Sequence, residues 1–187
     1  LVIAGDIGEV LQDLEREDDF LNVRSCLKIF REKFSQPILV LAGNHDLWVS
    51  LDSKITSLGL WNGGLQQVIE DEGCLWLEGR NWVNDGVAIV GSYLHYDYSA
   101  QEKTGLSATY SHEFLAKNKK RFNSDGNYLR GVPDDITFAR QIGEAFRNRL
   151  SAAQSNLTVG SIAVVSHVSC FEEQMTRRSH DFDWAIS

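Results

Sequence analysis

The chain has 187 residues, 43% of them hydrophobic and 24% charged, and a formal net charge of −8. Those values suit one ordinary globular domain with a sizeable core, and the acidic balance argues against non-specific attraction to nucleic acid or anionic membranes. No apolar run nears the ~20 residues that span a bilayer, no signal peptide is visible, and three widely spaced cysteines (Cys26, Cys74, Cys170) fit neither a disulfide scaffold nor a zinc ribbon, so reduced cytoplasmic thiols are expected.

Leu1 to Ala4 reads as a buried parallel strand. Glu9 to Phe34 reads as one helix, or as two broken near the acidic cluster Glu15–Asp19. Phe20, Val23, Leu27, Phe30 and Phe34 recur at intervals of three and four and form one core-facing stripe. Pro37 stops that helix, and Ile38 to Leu41 supplies a second strand, completing a βαβ unit. Leu51 to Leu58 is expected as a short helix ending at Gly59, and Asn62 to Asp71 as another after a turn at Gly63-Gly64. Cys74 to Leu77 and Val87 to Gly91 are short strands with a hairpin-turn signal, Asn84-Asp85-Gly86, between them. Ser92 to Ser107 reads as a loop, Ala108 to Lys120 as a helix, and Asn123 to Asp135 as irregular. Asp135 to Ala153 is a helix, and Ile162 to Val165 a third buried strand leading into Ser166-His167.

Three of these strands end in polar groups: Asp6, then Asn44-His45-Asp46, then His167. In open α/β sheets such groups stand outside the carboxyl ends of the strands, where ligands bind. A carboxylate, an amide oxygen and an imidazole on one rim make a divalent-metal site. One Asp has two oxygens and can bridge two cations ~3.5–4 Å apart, which together activate a water and clamp phosphoryl oxygens. Asn adds an oxygen ligand without charge. A second His that is not a ligand can protonate a leaving alkoxide. Gly5 and Gly43 allow close backbone approach.

Gly5-Asp6 followed by Gly43-Asn44-His45-Asp46 resembles the calcineurin-like metallophosphoesterases, and Ser166-His167 after an apolar strand resembles that family's lone-histidine block. The resemblance implies an α/β fold, a sandwich of two mixed β-sheets flanked by helices, hydrolysing phosphomonoesters or phosphodiesters with two divalent ions (Mn, Fe, Zn or Ni). It implies that Asp6 bridges the metals, that Asn44 and His167 ligate the second one, and that His45 contacts phosphate or acts as the leaving-group acid. The family's opening Asp-x-His and closing Gly-His-x-His blocks do not occur here. Residues 1–187 are therefore expected to be a single, partial domain, incomplete at both ends and inactive until completed by the parent protein.

Other residues keep two readings. His95, in the aromatic stretch Tyr93–Ser99, either lines the substrate cleft or is a partly exposed loop histidine. Glu9 either orients His45 or is a first-turn helix acid. The basic run Lys117–Arg121 either complements a helix C-terminus or contacts a phosphorylated substrate. His112 and His180 read as surface groups. Against the phosphoesterase reading stand a catalytically inactive domain of the same fold that binds partners or nucleotides, and a hydrolase using Cys170 or a serine, which lacks the Gly-x-Ser-x-Gly elbow.

Overall fold

A computed structural model describes residues 1–8, 20–99, 110–121 and 123–171. Strands β1 (Val2–Ala4), β2 (Leu39–Leu41) and β3 (Leu75–Trp76) form a parallel sheet in that order, with Ile3 opposite Val40 and Leu39 opposite Leu75. Strands β4 (Trp82–Asn84), β5 (Val87–Ser92) and β6 (Ser161–Ser166) form a second sheet. There β4 pairs antiparallel and β6 parallel with β5. The expected pair of mixed sheets is thus one parallel and one mixed sheet among the described residues.

The two-residue period of a strand sorts β2 and its flanks between two cores. Leu39 and Leu41 meet Leu77, Ile89 and Val165 in a cluster shared by both sheets. Ile38, Val40 and Ala42 face the opposite way, against Val23 and Leu27 of helix α1 (Leu21–Lys33). A helical turn α2 (Ser57–Gly59) runs through a π-helical turn (Leu60–Gly64) into α3 (Leu65–Asp71), whose Leu65, Val68 and Ile69 join that second core. After α4 (His112–Asn118) and the single turn α5 (Asp125–Tyr128) comes the long helix α6 (Asp135–Gln154). Phe138 and Ile142 of α6 pack with the first sheet's core, while Phe146, Leu150 and Ala153 cover Ala88 and Val90 of β5. Two facing sheets with helices on their outer sides follow from this partition. Among the described residues, no helix is long and apolar enough to cross a membrane.

Several expectations need correction. β1 is parallel-paired as expected, but neither β1 nor β6 is buried as expected: Ala4 is exposed, and Val164 is 48% exposed. Among the described residues each lies at the edge of its sheet, and an apolar run does not distinguish an edge from a centre. Leu51–Leu58 is not one helix. Ser53 Oγ accepts from Ile55 N (3.1 Å), a local bond that competes with helix, and the helix begins only at Ser57, with Thr56 Oγ1 accepting from Gly59 N (3.0 Å). The Asp85-Gly86 turn is real, with φ of 46° and 77° as a type I′ hairpin requires, but its first arm is Trp82–Asn84. Leu75–Trp76 belongs to the other sheet. The stretch Asn123–Asp135 contains one helical turn, and helix α4 starts at His112 on a Ser111 cap. The first half of the Glu9–Phe34 helix, residues 100–109 and the tail from 172 lie outside the described residues.

One buried ion pair ties α6 to both sheets. Glu78, just past β3, accepts from Ser92 Oγ (3.0 Å) and from the Tyr93 amide at the end of β5. Arg149 of α6 lies 3.7 Å from the same carboxylate and donates to the carbonyls of Glu78 and Gly91. Burial pushes the Glu78 carboxyl up to about 7, against the pull of Arg149. An unfolded glutamate ionises near 4.5, so this group makes stability fall as pH rises from there to about 7. Arg149→Ala leaves a buried carboxylate without its countercharge and is expected to cost about 3–5 kcal/mol at pH 8, read by urea denaturation. The loss shrinks below pH 7 as Glu78 takes up a proton.

Candidate functional site

The ends of β1, β2 and β6 deliver their following residues to one place. After β1 the chain turns through two residues of positive φ, Gly5 (89°) and Asp6 (53°). A β-carbon on Gly5 would lie 2.5 Å from Gly43 N and 2.7 Å from His167 Nδ1, and one on Gly43 would lie 2.1 Å from Asp6 Oδ1. Only glycine lets these two loops touch.

Asp46 locks the contact. Its carboxylate is 1% exposed and accepts four backbone N–H groups. Oδ2 takes Asp6 N (2.7 Å) and Gly43 N (2.8 Å); Oδ1 takes Ile7 N (2.9 Å) and Gly8 N (3.3 Å). Burial pushes this carboxyl up to about 6, outweighing the amide donors that favour its charged form. Asp46 closes the Gly43-Asn44-His45-Asp46 motif, in which only Asn44 and His45 were expected to carry roles. The available signal was an acid directly behind two turn-forming polar residues at a strand end.

Asp6, Asn44 and His167 come together at this junction. His167 Nδ1 stands 2.8 Å from the Ala4 carbonyl, which can only accept, so Nδ1 carries a proton; in the neutral imidazole that metal ligation requires, Nε2 then presents its lone pair. Nε2 faces Asn44 Oδ1 at 3.0 Å and Asp6 Oδ1 at 3.6 Å. Asn44 turns its NH2 the other way, to Asp125 Oδ1 (2.9 Å). With the imidazole neutral, three atoms able to ligate a cation therefore meet at this junction. Ligands held at about 2.1 Å from one cation, about 90–120° apart, are separated by about 3.0–3.6 Å, so the donor set fits a divalent ion. Among the described residues no group of three or more His, Cys, Asp or Glu side chains is placed to hold a metal; the amide of Asn44 makes up this trio.

His45 starts a single 3₁₀ turn, with its backbone N–H donating to Asp6 Oδ1 (3.1 Å). Its ring stacks on Trp48 with centroids 3.7 Å apart, and Trp48 in turn packs on Tyr128. Asp125 was not singled out in the sequence, since it lies 81 positions from Asn44 in a stretch expected to be irregular.

His95 does not join this group. It is buried, with Nδ1 at Tyr93 OH (2.9 Å) and Nε2 at Asp135 Oδ1 (2.8 Å), so both ring nitrogens are taken by the protein. Burial lowers its pKa, against the raising influence of Asp135. Lys119, from the basic run, also turns inward to Asp135 Oδ1 (2.5 Å), leaving Lys117, Lys120 and Arg121 exposed. Cys170 is exposed and meets Ser166 Oγ (3.0 Å), while His167 directs both nitrogens elsewhere. His112 is half-buried on α4; Glu9 and His180 lie outside the described residues.

No family model, curated protein or solved structure matches the chain.

Asp46→Asn supplies two donors where four are already aimed, so it is expected to destabilise by about 1–3 kcal/mol. Hydrogen exchange checks the assignment: protection of the Ile7 and Gly8 amides falls with the global stability or further, and unchanged protection refutes the clamp.

Proposed function

We propose that the chain is the core of a metal-dependent phosphoesterase of the calcineurin-like type, an α/β sandwich acting on a phosphomonoester or phosphodiester. The observation that carries this reading is the convergence of Asp6 Oδ1, Asn44 Oδ1 and His167 Nε2, each able to ligate a cation once the imidazole is neutral. Bound there, a divalent cation such as Mn²⁺ supplies Lewis acidity and lowers the pKa of a water toward ~7. Asp6, with its second oxygen, is the residue able to bridge to a second ion. The chain's own contribution is positional. Asp46 holds the two loops, and His167 offers Nε2 because its Nδ1 proton is held by Ala4. His45, stacked on Trp48 one residue beyond Asn44, is the group to hold a phosphoryl oxygen or protonate the leaving oxygen.

The second reading, an inactive domain of this fold that binds partners or nucleotides, draws on one observation: the described residues bring three donors to the rim, fewer than a two-metal centre uses. Turnover separates the two. The full-length protein is assayed on p-nitrophenyl phosphate and its bis ester, with Mn²⁺ and with chelator, and Mn²⁺ binding is measured by calorimetry. Expected are chelator-sensitive hydrolysis, a loss of metal affinity and activity of about 10–100-fold or more in Asp6→Ala and His167→Ala, and a kcat loss of about 10²–10⁴ with metal retained in His45→Ala. Mn²⁺ binding without turnover selects the binding domain. Undiminished turnover in Asp6→Ala rejects the mechanism.

A further inference from the structure

We propose that Asp125 is a positioning residue whose carboxylate sets which face of the Asn44 amide meets the cation site and holds the Trp48 ring under His45. This rests on the metal-site reading above. Asp125 opens α5 and is 1% exposed. Its Oδ1 accepts from Asn44 Nδ2 (2.9 Å) and Trp48 Nε1 (2.6 Å), and its Oδ2 from Tyr96 OH (3.2 Å). Its own place is fixed by the bond from its backbone N–H to Asn123 Oδ1 (2.8 Å) and by Leu129 N donating to its carbonyl (2.8 Å).

The direction of the two bonds to Oδ1 is forced. An indole N–H can only donate, so the oxygen beside Trp48 is an acceptor. Asn44 shares that oxygen and can meet it only with its NH2. The amide carbonyl is thereby turned to the far side, where His167 Nε2 stands 3.0 Å away. An Asn amide is nearly symmetric in shape, so without this partner it can turn over and present NH2 to the cation site, removing one of the three ligands. The same oxygen fixes the indole on which the His45 ring lies at 3.7 Å. One buried oxygen thus orients a metal ligand and the platform under the candidate acid.

The test reads the amide directly and the metal separately. In the full-length protein the Asn44 side-chain amide resonance, identified by its loss in Asn44→Ala, should show one proton protected from solvent exchange. Asp125→Leu should abolish that protection and weaken Mn²⁺ binding about 10–100-fold by calorimetry. Asp125→Asn should keep both within about threefold, because one oxygen still meets Asn44 and Trp48 while the new NH2 finds the Tyr96 hydroxyl as acceptor. Tyr96→Phe, which touches the carboxylate but not Asn44, should also hold Mn²⁺ affinity within about threefold. An unprotected Asn44 amide in the wild-type protein overturns the proposal without any variant, and so serves if Asp125→Leu does not fold. Equal weakening in Tyr96→Phe and Asp125→Leu overturns it as well, by showing general loosening. A wild-type protein that binds no Mn²⁺ defeats the metal reading, while the amide spectrum still decides the orienting role.

Discussion

Four backbone N–H groups drawn from two loops onto the single carboxylate of Asp46 set the geometry of everything around them. The loops leave β1 and β2 at the same end of a parallel pair, and each begins with a glycine the other loop presses against. A buried carboxylate is costly unless its lone pairs are filled. Here they are filled by amides of loops that have left their strands. The two loops therefore close on Asp46 together or not at all. Asp6 is carried into place by its own amide bond to Asp46, and its side chain then accepts from the His45 amide. Backbone satisfaction, rather than any contact between the functional side chains, brings Asp6 up against Asn44 and His45.

The same logic recurs around the rim. Glu78, Asp125 and Asp135 are buried acids near the ends of the sheets or helices that meet there, and each accepts from partners on distant segments. Asp135 illustrates the balance: burial opposes its charge, yet the His95 bond and the Lys119 charge hold its carboxyl at about 2. These groups add specificity of arrangement to cores that apolar packing alone defines loosely. The apolar clusters stack sheet on sheet and helix on sheet; the buried acids decide which loop meets which.

What the sequence disclosed follows from this division. Strand β2, the βαβ unit and helix α6 were legible because burial imposes a period on their residues, as at Phe138, Ile142 and Phe146. Asp6, Asn44 and His167 were legible as strand-end polar groups and do converge. Three things were not. The edge positions of β1 and β6 depend on pairing that a run such as Ile162–Val165 does not encode. Strand β4 is three residues long, and only its turn carried a signal. Asp125 and Glu78 act through partners 14 to 81 positions away, and no local pattern marks an acid that will be buried at such range. His95 was misread for the same reason: an aromatic polar stretch looks exposed until Asp135 and Tyr93 are seen to fill it.

The way His45 is held bears on what it can do. A histidine oriented by a carboxylate has one nitrogen committed and one tautomer selected. The His45 ring instead lies face to face with Trp48, and among the described residues neither of its nitrogens forms a hydrogen bond. Stacking fixes the plane of the ring and its distance from the Asn44 backbone while leaving both nitrogens to whatever enters the site. In the role proposed above, such a ring would meet a phosphoryl or leaving oxygen without first breaking a bond to the protein. Rigidity has been moved one residue outward, from the imidazole to the indole, whose N–H is bound to a buried carboxylate. Stacking of this kind orients the ring with both nitrogens open, where a hydrogen bond to a carboxylate would commit one of them.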